Sequence, residues 1–272
     1  MNTDSNIDSS HSGAGKVKAV MTASARGNRI RQEDISLALA DQGVFVVADG
    51  FGAGQSGVSA ARSACEAASA FLVRNSGDQD ATLPFILRRY FSLAGNMVFN
   101  ALIHANREMV NSNRSKPAEM CGGASVLAGL LDGDFLALGA AGACSARLLR
   151  GADAPVLLNR PRTYHQLRNP SANPGLQSID HTECDMPLMA LGVHDGFEPE
   201  VFELHVQPGD WVLLHTDGMP ARLLEEFAGI RTDVIQSGVK LSAIQDRIKS
   251  ALARSQSSGE LSDNLAFSLI LF

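Results

Sequence analysis

Three apolar runs of strand length each carry an acid at one end. Val44-Phe-Val-Val-Ala48 runs into Asp49-Gly50, Trp211-Val-Leu-Leu214 leads through His215 and Thr216 into Asp217-Gly218, and Asp263-Asn264 opens the run Leu265–Phe272. A strand covered on both faces reads as a near-continuous apolar stretch, so an acid at its end marks where the chain leaves the core and reaches solvent. The third run reverses the order, acid first. Antiparallel pairing would bring its start to the same edge as the ends of the others. Glu33-Asp34 adds a further acidic pair near the beginning of the chain.

Separated carboxylates gathered at strand ends suit a hard divalent cation. Mg²⁺ or Mn²⁺ takes oxygen ligands, keeps several waters and is held through a few carboxylates. The Gly after Asp49 and after Asp217 allows a sharp turn and a close approach to a ligand. An Asp-Gly pair alone is most often a turn. Asp132-Gly133 illustrates this, because it separates Ser125–Leu131 from Asp134–Leu138 and so predicts a plain hairpin without chemistry.

Between these runs the spacing predicts helices over residues 57–74 and about 83–110, with apolar residues at three- and four-residue steps. Shorter helices are expected near 221–227 and 241–253. Val201–Val206 alternates as a half-buried strand should, and Pro208-Gly209-Asp210 turns the chain into the Trp211 strand. Residues 155–187 show no clear period, and no internal repeat is evident.

The motifs resemble a family. Gly27-Asn-Arg29-Ile-Arg-Gln-Glu33-Asp34, Val46-Val-Ala-Asp49-Gly50-Phe-Gly52, Gly123-Ala-Ser125, Leu213-Leu-His-Thr-Asp217-Gly218 and Ser262-Asp263-Asn264-Leu-Ala266 resemble, in order, the motifs of the metal-dependent PP2C (PPM) protein Ser/Thr phosphatases of bacterial type. The resemblance runs from about residue 20 to the last residue. It implies an α+β fold, a four-layer α-β-β-α sandwich of two antiparallel sheets flanked by helices. Helices paired around runs of strands agree with that order.

The resemblance also implies roles. Glu33, Asp49, the Gly50 carbonyl, Asp217 and Asp263 would hold two divalent metal ions, Mn²⁺ or Mg²⁺. Asp34 would steady the cluster from behind, and Arg29 would grip the substrate phosphate, since a guanidinium offers paired donors to phosphate oxygens. Arg31 reads as a solvated loop charge, and His215 as a strand side chain, because hard cations seldom take imidazole. His104, His165, His181 and His194 form no ligand pair. Three positions depart from the family pattern. Ala143 stands where relatives carry an acid that helps bind a third metal, Gly54 stands where many bacterial members carry His, and Arg162-Thr163-Tyr164-His165 is a loose echo of Thr-x-Asp-His. General-acid help is typically worth about 10²–10⁴-fold, so these departures bear on rate. In relatives a variable flap lies near the site, and residues 155–187 would correspond to it.

Length and composition bound the rest. A chain of 272 residues, 45% hydrophobic, can bury a sizeable core as one domain. Residues 16–272 read as that phosphatase-like domain, and residues 1–15, rich in Ser, Asn, Asp and Gly, as a disordered N-terminal tail without the basic start and apolar middle of a signal peptide. The net charge of −6 disfavours nucleic acid or an anionic membrane as partner. No run approaches the roughly 18 apolar residues of a membrane span. Cys65, Cys121, Cys144 and Cys184 lack paired spacing and read as reduced thiols, so a cytoplasmic location is expected. The expected partner is a phosphorylated protein, the product of a bacterial-type Ser/Thr kinase. Two alternatives are a pseudophosphatase that binds phosphoproteins or a regulatory partner, and an enzyme for small phosphate esters.

Overall fold

The computed structural model describes residues 6–10, 17–76, 87–151, 154–164, 167, 186–237 and 240–272. Two antiparallel sheets form the centre. One has the strand order β1-β2-β11-β10-β7-β8, built from Asn6–Ser10 (β1), Ala19–Ala25 (β2), Leu265–Leu271 (β11), Trp211–His215 (β10), Ser145–Leu149 (β7) and Val156–Leu157 (β8). The other has the order β3-β4-β5-β6-β9, from Asp34–Leu39 (β3), Val44–Gly52 (β4), Gly122–Asp132 (β5), Phe135–Ala141 (β6) and Glu200–His205 (β9). The Asp132-Gly133 hairpin forms as expected, with Gly133 at φ 62°, which a glycine adopts without strain.

Alternation along the strands sorts the core into three layers. Phe45 and Val47 on β4 meet Val212 and Leu214 on β10 and Ile270 on β11, filling the space between the sheets. Val44, Val46 and Ala48 point the other way, onto helix α1 (Ser56–Ser76) and helix α2 (Leu93–Arg114). Leu213, Leu265, Phe267 and Leu269 face helix α3 (Ala221–Ser237) and helix α4 (Leu241–Ser257). The architecture is the four-layer α-β-β-α sandwich that the sequence implies.

Three boundaries differ from the sequence reading. Residues 83–86 lie outside the described residues, residues 87–92, read as part of helix α2, are not helical, and the helix begins at Leu93. Ser92 in extended conformation caps it, its Oγ accepting from the Gly95 N–H at 3.0 Å, and the Asn96 side chain folds residues 88–92 back onto the first turn. Helix α3 runs to Ser237, well past Phe227, because Ile230 continues its buried stripe. Asn6–Ser10, within the segment read as a disordered tail, pairs with β2 as an edge strand. Such pairing uses backbone donors and acceptors, which a polar sequence also carries. Cys65, Cys121 and Cys144 are free thiols, and Cys184 lies outside the described residues. Among the described residues no helix is long and apolar enough to cross a membrane.

Candidate functional site

The acids converge on one end of the sandwich from both sheets. Asp34 on β3 pairs with Asp49 on β4, which pairs with Ser125 on β5. Residues paired across strands point to one face, and here that face is the one turned to the opposing sheet. From the other sheet, β10 ends at His215 just before Thr216 and Asp217, and Asp263 stands two residues ahead of β11, its antiparallel neighbour. The inter-sheet layer turns polar as it nears this end. Ser36 Oγ and Ser268 Oγ lie 2.7 Å apart across the sheets, and beyond them Asp34 interacts with Thr216 and Asp49.

One buried side chain fixes the loop that carries Arg29 and Glu33. Asn264, 4% exposed, accepts from the Glu33 N–H through Oδ1 at 2.8 Å and donates through Nδ2 to the carbonyls of Arg26 and Arg31, each at 2.8 Å. The loop is held at two more points. Arg29 Nη2 donates to Asp263 Oδ2 at 2.5 Å, and Arg31 Nη1 donates to the Gly54 carbonyl at 2.5 Å.

The first turn of α1 completes the cradle. A Cβ at Gly57 would lie 2.6 Å from Glu33 Oε1 and 3.0 Å from the Gly50 carbonyl oxygen. The carboxylate and the carbonyl thus meet at a helix start, where the backbone dipole favours negative charge and only glycine leaves room.

Burial and crowding raise the proton affinity of these acids. Burial pushes Asp49 up to about 6, with the charges of Asp263 and Glu33 adding to it and the Asp34 hydrogen bond opposing. Asp34 is pushed well above the carboxylate range by burial, then by the charges of Asp49 and Asp217. Glu33 moves up by burial against the pull of Arg31 and Arg29. Cys144, buried between the sheets, has its thiol raised by burial and by the charges of Asp49, Asp217 and Asp34. Without a cation this cluster repels itself and holds protons.

The donor set suits a hard cation. Every side-chain donor is a carboxylate oxygen, the Gly50 carbonyl adds another oxygen, and the buried Asp34 Oδ2 has no hydrogen-bond partner. Among the described residues no three His, Cys, Asp or Glu side chains close on one point as they stand. Asp263 is already engaged, its Oδ2 accepting from Arg29 and its Oδ1 from the Asn264 N–H at 2.7 Å. The guanidinium pairs with this carboxylate at the rim of the acidic cluster.

The structure therefore brings Arg29, Glu33, Asp34, Asp49, Gly50, Asp217 and Asp263 into one neighbourhood, although they span most of the chain. His215 is a buried strand residue, pushed down to about 4 by burial, with Nδ1 2.7 Å from the Thr216 carbonyl and Nε2 accepting from Arg147 Nε at 3.3 Å. Ala143 is 2% exposed in the turn after β6. Thr163 bridges to Pro187, whereas His165 and His181 lie outside the described residues. The sequence pattern assigns no role to Asn264, Gly57, Thr216 or Ser125. Asn264 and Gly57 lie inside or beside the motifs, yet their partners are far away in sequence, and only the fold reveals what they touch.

No protein-family model and no curated protein matches the sequence. Solved structures match nearly the whole chain. The PPM Ser/Thr phosphatase MsPP from Mycobacterium smegmatis, solved in complex with cacodylate, aligns with a TM-score of 0.68 at 19% identity, covering 95% of this chain and 100% of MsPP. The catalytic domain of the serine/threonine phosphatase PstP, solved with two manganese ions, aligns at 0.68 and 20% identity, covering 93% and 98% of the two chains. PppA, a key regulatory component of the T6SS in Pseudomonas aeruginosa, aligns at 0.63 and 22% identity, covering 99% of each. At such identities the likeness establishes the fold.

Proposed function

We propose that this chain, which has the fold of the PPM-type Ser/Thr phosphatases, is a metal-dependent phosphatase acting on phosphoserine and phosphothreonine in proteins. The observation that carries the reading is the convergence of Glu33 Oε1 and the Gly50 carbonyl on the glycine-only first turn of α1, beside Asp49 and opposite Asp217 and Asp263. Glu33, Asp49 and Gly50 would hold one divalent cation, and Asp49, Asp217 and Asp263 a second. Two such cations, Mn²⁺ as in the manganese-bound PstP structure or Mg²⁺, would supply neutralisation of phosphoryl charge and an acidified water.

The chain's own groups do the rest. Asp34, buried against Asp49 and Thr216, orients the Asp49 carboxylate. Asn264 holds the 26–33 loop in register with the second sheet. Arg29, exposed at the rim, exchanges Asp263 for the phosphate, to which its planar fork presents paired donors. Ala143 puts a methyl where related sequences place an acid, which supports a slower enzyme than its relatives. The phosphoprotein substrate would be made by a Ser/Thr kinase acting in the same cytoplasmic compartment.

Hydrolysis of p-nitrophenyl phosphate and of a phosphothreonine peptide, with Mn²⁺, with Mg²⁺ and with chelator, tests the reading. Activity should require the cation and fall by more than about 10³-fold in Asp49→Asn and in Asp217→Asn, each removing one charged ligand from a folded protein. Full activity in either variant sinks the assignment. Silence of the folded wild type with every metal favours a phosphoprotein-binding protein.

A further inference from the structure

A groove of about 870 Å³ runs between α1 and α2, and it starts where the candidate site ends. Its inner end is the 53–56 turn, which joins β4 to α1 and whose Gly54 carbonyl holds Arg31 of the loop bearing Arg29. From there α1 supplies Glu66, α2 supplies Glu108, and the segment after α2 supplies Glu119. All three are exposed, and among the described residues none is in an ion pair. Lys116 is the cationic side chain of the lining, and His104 stacks on Phe71 with ring centroids 5.3 Å apart. Met109 and the exposed Met120 give the same groove an apolar floor.

We propose that this groove docks a basic, extended segment of the phosphoprotein substrate, with arginine or lysine stems along the methionines and their charges at Glu66, Glu108 and Glu119. The inference rests on the phosphatase reading and adds a substrate class to it. Long basic side chains match such a surface because they combine an apolar stem with a charged tip. Opposed charge at a rim chiefly selects the partner and speeds encounter. The geometry also sets a distance. Glu66 lies about 10 residues beyond Ser56 on α1, hence about 15 Å along the axis at roughly 1.5 Å per residue. An extended peptide covers that span in about 4–5 residues. The basic residue that meets Glu66 therefore belongs about four or five positions from the phosphorylated one, while Glu119, three residues before Gly122 whose backbone packs on Ser56, lies nearer the inner end.

The test compares wild type with the triple variant Glu66→Gln, Glu108→Gln, Glu119→Gln. Substrates are phosphothreonine peptides with three arginines starting four residues to either side of the phosphothreonine, the same peptides with alanines there, and p-nitrophenyl phosphate. Exposed ion pairs are individually weak, so the variant should raise KM for the better arginine peptide by roughly 5- to 20-fold. Turnover of p-nitrophenyl phosphate, which cannot reach the groove, should stay unchanged. Equal KM for arginine and alanine peptides in the wild type, or no KM change in the variant, overturns the proposal. If no substrate is turned over, the phosphatase reading has failed and the groove is judged separately by fluorescence anisotropy of the labelled, unphosphorylated arginine peptide. Binding weakened by the triple variant supports the groove; equal binding, or none to wild type, refutes it.

Discussion

Helix α1 and the α3–α4 pair cover their sheets in different ways. On α3 and α4 the buried stripe is made of large side chains, Leu223, Phe227, Ile230, Ile244 and Ile248, with the Phe227 ring edge-on to Phe267 of β11 at 5.4 Å. The surface between these helices is laced by Arg247–Asp233 at 2.5 Å and Arg254–Glu226 at 2.7 Å. On α1 the stripe is small over its first three turns, Gly57, Ala60, Ala61, Ala64, Cys65 and Ala68, with Leu72 only further along, so the helix start sits close enough to touch the Gly50 carbonyl. The groove beside α1 carries acids that, among the described residues, are in no ion pair, and it opens at the candidate site. Helices α3 and α4 fill volume with large side chains and tie their outer faces with ion pairs; α1 gives up volume to bring its start against the acids, and α2 beside it supplies the bulk with Met97, Val98, Leu102 and Met109. Small residues thus mark the helix that closes on the acids.

That contrast can be broken at either layer. Phe227→Ala should cost about 3–5 kcal/mol of stability, from lost burial and the cavity left behind, while hydrolysis of p-nitrophenyl phosphate below the lowered melting point stays near wild type. A large loss of turnover in the folded variant would show that α3 also shapes the site. Gly57→Ala should do the reverse, melting within a few degrees of wild type yet losing about 100-fold or more in activity, because its methyl displaces the Glu33 carboxylate. Retained activity there would remove Glu33 and Gly50 from the proposed metal centre.

Protons sharpen the same comparison. Asp49 is raised to about 6 and Asp34 and Glu33 are raised as well, so the folded chain holds protons that the unfolded chain releases near pH 4. These acids contribute stability at low pH that is lost as pH rises towards 6. The buried His215, lowered to about 4, works the other way, costing stability as pH falls. The difference in Tm with and without Mn²⁺ removes the shared His215 contribution. That difference should widen from pH 5 to pH 7, since a cation must displace the protons on Asp49. A Mn²⁺ shift that is flat or shrinks over this range contradicts Asp49 as ligand. The smallest effect is expected at Gly229 in α3, where an added methyl meets nothing within 4 Å; Gly229→Ala should stabilise by about 0.5–1 kcal/mol with unchanged activity.

Much of the fold is legible in the sequence. The runs ending in Asp49 and Asp217 and the run opened by Asp263 form strands because their apolar residues leave them no stable place but a core. The acid at each end then follows from where the run stops. The hairpin at Asp132-Gly133 and the Ala-rich α1 obey equally local rules. Less legible is the start of α2, where Leu, Ile and Phe continue the helical spacing upstream but a serine cap and the Asn96 side chain turn the chain back. β1 escapes the pattern as well, since an edge strand is selected by an available backbone ladder and not by its own side chains.

The sequence by itself determined that Asp49, Asp217 and Asp263 stand at the ends of buried runs and so offer carboxylates to solvent, because such acids carry their chemistry and their exposure with them. Only the tertiary structure decided how those residues are held. Asn264 carries Glu33 and the Arg29 loop, Gly57 leaves the gap that Glu33 and Gly50 share, and Arg29 occupies Asp263. Hydrogen bonds and steric gaps between residues far apart in sequence arise only once two sheets stack, and no local pattern encodes them.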